Sequence, residues 1–377
     1  MLGFGIEEEF VLLDAAGLRP LDLGNAVYSE FFGDPNFGGC VGREFLACQL
    51  EFTSPVLRSL AQAHECLSSF RSRLAATAAE FDALAAGVGV PFSSGGAPAL
   101  SPEPRYREVG ERMGALLEGH RIQALHVHVE VPNRDAGAAA LNRLRVWLPT
   151  LLALSVNSPF QGEADSGFGS WRSVALRRWS TAGCPPLFTG ADDYDRRERA
   201  LIGLGSSVDR EAIAWQARLS SRYPTLEIRV ADAQLDAADS VLLAGICRAL
   251  VRSGLERAEA GEPCSPLAPE LLDAGLWHAG RFGLDGTLLS PGEGRALPAA
   301  EVVAELREWI DRGLRANGDT EAVDDGLERL ARIGTGAARQ RRAFAEGGTR
   351  GLSELLGTPG APAPRSLQRE LSRRGEW

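Results

Sequence analysis

The chain of 377 residues contains no lysine, so all 40 of its basic side chains are arginine. That absence removes a P-loop lysine, a pyridoxal Schiff base and a lysine general base together. Any phosphate chemistry must then rest on arginine, backbone amides and metal ions. Cysteine is scattered: Cys40, Cys48, Cys66, Cys184, Cys247 and Cys264 form no CxxC and no compact group. They read as reduced packing thiols, neither a disulfide framework nor a thiolate zinc site. Long apolar runs are missing as well. The longest, residues 146–156, includes Pro149 and is too short to cross a bilayer. The first ten residues carry neither a basic n-region nor an apolar h-region, so the cytoplasm is the expected compartment. Fifty acidic side chains give a net charge of −10, which argues against a nucleic-acid partner.

The remaining composition, 44% hydrophobic and 24% charged, supports a sizeable core. No internal repeat is present. Residues 87–104, rich in Gly, Pro, Ser and Ala, read as a loop. The Pro/Gly stretch 357–364 sets an arginine-rich segment, 365–374, apart from the body. Apolar spacing predicts helices over 57–84, 135–156, 209–222, 238–260, 299–315, 320–333 and 337–345. Period-2 alternation predicts strands over 5–14, 49–56, 125–131 and 226–230. Strands scattered among helices without a βαβ rhythm favour an α+β fold with a mainly antiparallel sheet.

The strands carry unusual side chains on their polar faces. In 124–131, Leu125, Val127, Val129 and Val131 share one face, while His126, His128 and Glu130 share the other. Two of only five histidines sit there, which weighs against a merely solvated surface. In 5–14, Glu7 and Glu9 share a face and Glu8 takes the opposite one. Glutamate is a poor strand former, and same-face carboxylates repel unless a cation meets them. A charged edge strand that blocks aggregation is the plainer alternative. Glu51 alternates with Leu50 and Phe52. Glu44, seven residues earlier, joins it only through a bulge or a break. Glu227 and Arg229 project together from 226–230, a pair that alone would be a weak surface contact.

Together these strands aim Glu7, Glu9, Glu51, His126 and Glu227 from one sheet face, with Arg229 beside them. Carboxylates with one imidazole suit Mg²⁺ or Mn²⁺ better than zinc. Several carboxylates around such ions point to a polyphosphate substrate. Without lysine, arginine must complete the clamp, and Arg172, Arg177 and Arg178 follow a glycine-rich turn at 167–170. A solvated arginine helix is the alternative there.

The residues now resemble a family. Gly5-Ile-Glu-Glu-Glu-Phe, Leu50-Glu-Phe-Thr-Ser-Pro-Val, His126-Val-His-Val, Asn157-Ser-Pro-Phe and Asp165-Ser-Gly-Phe-Gly-Ser-Trp-Arg-Ser come first. Arg178-Trp-Ser-Thr-Ala-Gly, Leu226-Glu-Ile-Arg-Val-Ala-Asp and Gly334-Thr-Gly-Ala-Ala-Arg-Gln-Arg follow. In this order they resemble the type 2 glutamate–cysteine ligases, bacterial carboxylate–amine ligases of the glutamine synthetase-like superfamily, from residue 5 to about 345. The resemblance implies an antiparallel sheet curved into a funnel-shaped active site, with helices outside. It implies ATP with two or three Mg²⁺, Mn²⁺ serving in their place, at Glu7, Glu9, Glu44, Glu51, His126 and Glu227. Arg229 and Arg172 take catalytic places, and His128, Arg177, Arg178 and Arg339 take nucleotide- or substrate-binding ones.

The implied reaction phosphorylates a carboxylate, by default the γ-carboxylate of glutamate, and passes the acyl group to an amine. The glycine-rich segment 162–170 is expected to close over the intermediate. The catalytic domain would span 1–350, with 351–377 as a Pro/Gly linker and arginine-rich tail. Small-molecule acid and amine substrates, no membrane partner and a homodimer complete the expectation. Departures are Glu130 where many relatives have glycine, no tryptophan after Phe160, and Cys184 within the Thr-Ala-Gly-Pro-Pro stretch. Three rivals stand beside the ligase: a phosphagen-type guanidino kinase, a non-catalytic nucleotide- or metal-binding member, and a metal-dependent amide hydrolase.

Overall fold

A computed structural model describes residues 1–357 and Gln368. Its strands, in chain order, are β1 (Phe4–Asp14), β2 (Val41–Arg43), β3 (Gln49–Thr53), β4 (Ala83–Ala86), β5 (Ala124–Glu130), β6 (Phe160–Gln161), β7 (Ala164–Asp165), β8 (Ala217–Leu219), β9 (Thr225–Asp232), β10 (Thr287–Leu289) and β11 (Ala296–Pro298), the last two paired only with each other. Strands β2-β3-β1-β5-β9-β8 lie side by side and all pair antiparallel, while β4 pairs with the far half of β1. Strands β6 and β7 form a separate small hairpin. The α+β class and the antiparallel sheet are as the patterning predicts.

The alternation in β1 sorts its side chains between two environments. Ile6, Phe10 and Leu12 enter the main core with Leu50, Phe52, Val127 and Ile228. Against this face pack the helices Leu60–Ala79 and Ala237–Glu259. Ser59 and Gln62 close a capping box on the first helix, and Asp236 caps the second. Glu8 points into this side too, where Arg71 grips it with two bonds of 3.0 and 2.8 Å. On the opposite face, Val11 and Leu13 join a second apolar cluster that includes Phe92, Phe160, Leu352 and Leu356. That cluster covers one end of the face and leaves Glu7 and Glu9 at the other.

Several element boundaries differ from the periodicity. The predicted helix 135–156 is two helices, Arg134–Leu144 and Leu148–Ser155, with Pro149 in the first turn of the second, where a missing N–H costs nothing. The predicted helix 209–222 is not helical. Trp215, Ala217 and Leu219 are buried in the core and alternate with Gln216 and Arg218, so this segment ends as the edge strand β8. The helix Gly336–Leu356 runs past residue 350, breaks at Gly348 (φ +60°), and buries Leu352 and Leu356. The tail 365–374 apart from Gln368, and the linker beyond Gly357, lie outside the described residues. Among the described residues no helix is long and apolar enough to cross a membrane.

Candidate active site

Two groups of metal-ligating side chains stand on the polar face of the sheet. In the first, β1 and β5 place Glu7 opposite His126, and β5 and β9 place His128 opposite Glu227. His126 Nδ1 lies 3.0 Å from Glu7 Oε2 and 4.0 Å from Glu227 Oε1. His128 Nε2 lies 3.2 Å from Glu7 Oε1, and its Nδ1 lies 3.0 Å from Thr225 Oγ1. Ligand atoms of Glu7, His126 and Glu227 all fall within 4.8 Å of one another. Burial opposes ionisation of Glu7, yet hydrogen bonds from His126 and His128 hold it far below the usual carboxylate range. Glu227, also buried, is held low by Arg229 and Arg218. Burial and the Arg229 charge push His126 down to about 4, so it is neutral and able to act as a ligand.

The second group is Glu9, Glu44 and Glu51, again within 4.8 Å. Glu9 and Glu51 face each other across β1 and β3. Strand β2 stops at Arg43, and Glu44 enters from the turn leading to β3. The expected break is therefore real, and it is a hairpin reversal. Here no histidine offsets the charge. Burial and then Glu44 raise Glu9 to about 8, and burial with Glu7, Glu44 and Glu9 raises Glu51 well above its ordinary value. Buried carboxylates that repel one another this way are relieved by protonation or by a cation. An all-oxygen group beside a carboxylate–imidazole group suits hard divalent ions. The residues therefore fit Mg²⁺ or a similar ion.

Arginine surrounds both groups. Arg229 ion-pairs with Glu227 and stands 3.5 Å from His126 Nδ1. Arg218, which the sequence reading left inside a helix, grips Glu227 with bonds of 2.7 and 3.2 Å. Its third nitrogen holds the Glu211 and Ile213 carbonyls at 2.6 and 2.9 Å. The alternation Trp215/Ala217/Leu219 against Gln216/Arg218 is the signal that finds it. Arg172 is buried and donates to the Val230 and Arg229 carbonyls at 3.2 and 3.1 Å, leaving its Nε–H with no acceptor.

Three predicted arginines go elsewhere. Arg177 donates to the Asp273 carbonyl, and Arg178 to those of Leu116 and Glu118. Arg339 pairs with Asp236 and Asp239 at 2.9 Å. None of the three lines the cavities over the two acidic groups. The segment 162–170 lines neither cavity. Arg341 holds its Asp165 by two bonds of 2.8 Å, and Ser170 is tied to Asp232 at 2.7 Å. Its first part belongs to the anchored β6-β7 hairpin. Cys184 lies outside the site, beside Arg145 and Asp273, and Glu130 sits at the rim, bonded to Gly3 and Arg58.

Three connected cavities run along β1. The middle one, about 1210 Å³, touches all six metal-ligand candidates as well as Arg218, Arg222, Arg229 and Tyr223. An inner one, about 770 Å³, shares Glu9, Glu44, His126 and Arg229 with it and ends among Phe45, Tyr106, Val109, Leu176, Trp179 and Ile213, with Arg172 in its wall. An outer one, about 930 Å³, is bounded by Phe4, Ile6, Val56, Tyr223 and Pro224. Tyr106, Trp179, His120 and Tyr223 were not legible as site residues.

The fold is shared with solved ligases. The glutamate–cysteine ligase of Francisella tularensis, determined in complex with AMP, superposes with a TM-score of 0.64 at 12% identity over 99% of this chain and 92% of that one. A bifunctional glutathione synthetase from Pasteurella multocida gives 0.65 at 17% identity over 94% of this chain, which spans only 52% of that protein's length. PafA, the ligase of the prokaryotic ubiquitin-like protein Pup, gives 0.55 at 14% identity over 99% of this chain and 75% of PafA. The sequence itself narrows the class. A proposed glutamate–cysteine ligase 2-1 of Rhodococcus jostii is 39% identical over 92% of this chain and 93% of its own length. A proposed glutamate–cysteine ligase 2-2 of Saccharopolyspora erythraea is 37% identical over 95% and 92%. Residues 3–356 match the glutamate–cysteine ligase family 2, and the chain belongs to that family. It is an ATP-dependent ligase of the carboxylate–amine class.

Proposed function

We propose that the enzyme joins a carboxylic acid, with glutamate's γ-carboxylate as the first candidate, to an amine through an acyl phosphate. ADP and phosphate are the other products. The observation that carries this reading is the middle cavity, which touches all six candidate ligands together with the ion-paired heads of Arg218, Arg222 and Arg229. A nucleotide polyphosphate neutralised at both groups would lie there. The outer cavity, apolar and bordered by the half-exposed Tyr223, suits the base. The inner cavity, which meets the γ-phosphoryl end at Arg229, suits the acid and the amine.

Glu7, His126 and Glu227 would hold one divalent ion, and Glu9, Glu44 and Glu51 another. Such ions neutralise polyphosphate charge and polarise the phosphoryl oxygens. The rest falls to the chain. Arg229 is fixed between Glu227 and His126, so its guanidinium meets the transferring phosphoryl group without reorganising. Arg218 holds Glu227 in place. The spare Nε–H of Arg172 receives the acid's carboxylate. That carboxylate oxygen attacks the γ-phosphorus and ADP leaves. The amine nitrogen then attacks the acyl carbon, loses a proton and expels phosphate. Water has to be kept from the acyl phosphate, and the flanking segments 211–214 and 220–223 border the cavities.

The test is ADP and phosphate formation from Mg-ATP with glutamate and a pool of amines, with products read by mass. ADP formation that needs both acid and amine, with an amide of matching mass, is the expected result. ADP without amide favours the guanidino kinase, and bound ATP without ADP favours a binding module. Arg229→Ala should abolish turnover in a folded chain, and retained turnover removes Arg229 from the chemistry.

A further inference from the structure

The polar atoms that line the inner cavity are nearly all engaged. The Tyr106 hydroxyl donates to the Arg43 carbonyl at 3.1 Å. Gln49 donates to the Ile122 carbonyl at 2.7 Å and accepts from the Leu46 amide at 3.1 Å. Arg105 holds Asp209 at 2.7 and 3.1 Å, and Arg222 holds Glu211 at 2.7 and 2.9 Å. Among the described residues that line this cavity, two buried side-chain atoms have no partner: His120 Nδ1 and Arg172 Nε. Both residues border the inner cavity alone, whereas Glu9, Glu44 and Arg229 are shared with the middle one.

Both atoms are donors. The Trp179 indole N–H, which can only donate, gives its hydrogen to His120 Nε2 at 2.9 Å. Nε2 is then unprotonated, which assigns the ring proton to Nδ1. Burial, with the charges of Arg178 and Arg172, pushes the His120 pKa down to about 4, so the ring is a neutral donor at neutral pH. Arg172 is a buried cation whose ion pair with Asp232 spans 3.9 Å, too long for a hydrogen bond. The Asp232 oxygens are taken instead by Ser158 and Ser170 at 2.7 Å. A buried donor without an acceptor is costly. Two in one cavity wall, one of them on a cation, fit an anion with two acceptor oxygens.

We propose that His120 is a specificity-determining residue for the acid substrate: its Nδ1–H joins the Arg172 Nε–H in receiving the carboxylate that becomes phosphorylated. Arg172 also donates to the Arg229 carbonyl, so a carboxylate held there lies next to the arginine that meets the phosphoryl group. The imidazole, being neutral, orients the carboxylate without adding positive charge that would blunt the attacking oxygen. An amide in the same place turns an NH₂ group toward one of the two donors and is rejected. The inference rests on the ligase reading above for which cavity the acid enters, but its test does not need turnover.

Isothermal titration of glutamate and acetate, each beside its amide, glutamine and acetamide, into the chain saturated with Mg²⁺ and a non-hydrolysable ATP analogue reads the subsite. Each carboxylate should bind at least about tenfold tighter than its amide. His120→Phe should weaken carboxylate binding about tenfold, with little change for the amides and none for the analogue. His120→Asn, whose amide places a donor near the Nδ1 position, should restore part of the loss. Circular dichroism of each variant confirms the fold. In the unaltered chain the His120 Nδ1–H proton resonance should move downfield when acetate binds, a readout that needs no variant. Equal losses for acid and amide in His120→Phe overturn the inference, because the ring would then only shape the cavity. An unmoved Nδ1–H resonance, no binding of either carboxylate, or lost analogue affinity overturns it as well. If the carboxylates bind as stated but no amide forms with any amine, the subsite stands and the ligase reading falls.

Discussion

Two buried acidic groups in this chain meet their charge in different ways. Asp236, at the start of the helix Ala237–Glu259, and Asp239 are both bridged by Arg329 and Arg339, with contacts of 2.8 Å from Arg329 to Asp236 and 2.9 Å from Arg339 to each carboxylate. Although burial opposes it, those arginines hold Asp236 below its ordinary value, while burial and the Asp236 charge raise Asp239 to about 6. Glu9, Glu44 and Glu51 receive no such grip, and burial with mutual repulsion drives Glu9 up to about 8. The same chemistry is thus closed by arginine in one group and left without an arginine grip in the other. Glu8 makes the point within a single strand. Between Glu7 and Glu9 in sequence, it faces the other way and is fully gripped by Arg71.

That contrast is sharpest in activity. Glu51→Gln removes one of three like charges and an oxygen ligand, and should lower amide synthesis by about 10³-fold or more. A steady-state assay over a Mg²⁺ series checks this, and a variant with normal turnover would strip the group of its role. Next is stability. Arg329→Met leaves Asp236 and Asp239 with one arginine between them, and should cost about 3–5 kcal/mol, with turnover per folded molecule unchanged. Urea unfolding measures it, and a loss under 1 kcal/mol on the scale of exposed pairs would make this group no different from a surface contact.

The third prediction has a pH sign. The folded pKa of Glu9, about 8, lies above its ordinary value of 4.5. Between those values the folded chain keeps a proton that the unfolded chain has lost, so this group lowers stability as pH rises from about 4.5 to about 8. Without divalent cations, Glu9→Gln should therefore be more stable than the parent at pH 8 and nearly equal to it at pH 4.5, while being inactive. Melting temperatures across that range, in chelator, decide it, and parallel pH profiles would refute the repulsion. The smallest effect belongs to Glu130. Its pair with Arg58 is about half exposed on both sides, so Glu130→Gln should change unfolding free energy by under about 1 kcal/mol, by the same urea measurement.

The parts of the site that could be read in advance are those fixed by strand parity. In β1, β3, β5 and β9 the side-chain period is two, so Glu7, Glu9, Glu51, His126 and Glu227 follow from which neighbours are apolar. Glu44 lay beyond that rule because a turn carries it, and a turn has no period. Arg218 was lost because a strand of three residues offers too little alternation to outweigh helical spacing around it. Arg177, Arg178 and Arg339 show the opposite failure. Their neighbourhood in sequence is informative, but a long side chain ends wherever an acceptor waits, and theirs wait on Asp273, Leu116, Glu118, Asp236 and Asp239. The inner wall was invisible for another reason. Tyr106, His120, Trp179 and Ile213 come from four separate segments, and only tertiary packing brings them together.

Strand β1 contributes one carboxylate to each acidic group, Glu7 to one and Glu9 to the other. Residues two apart on a strand are separated by about 6.7 Å, and β1 is paired on both sides, to β3 and β5. The spacing of the two Cα atoms that carry these carboxylates is therefore a ruler cut into the backbone. A cation of larger radius at one mark has to crowd whatever spans to the other, so ion size should be felt as geometry across the whole bridge, not as affinity at a single end.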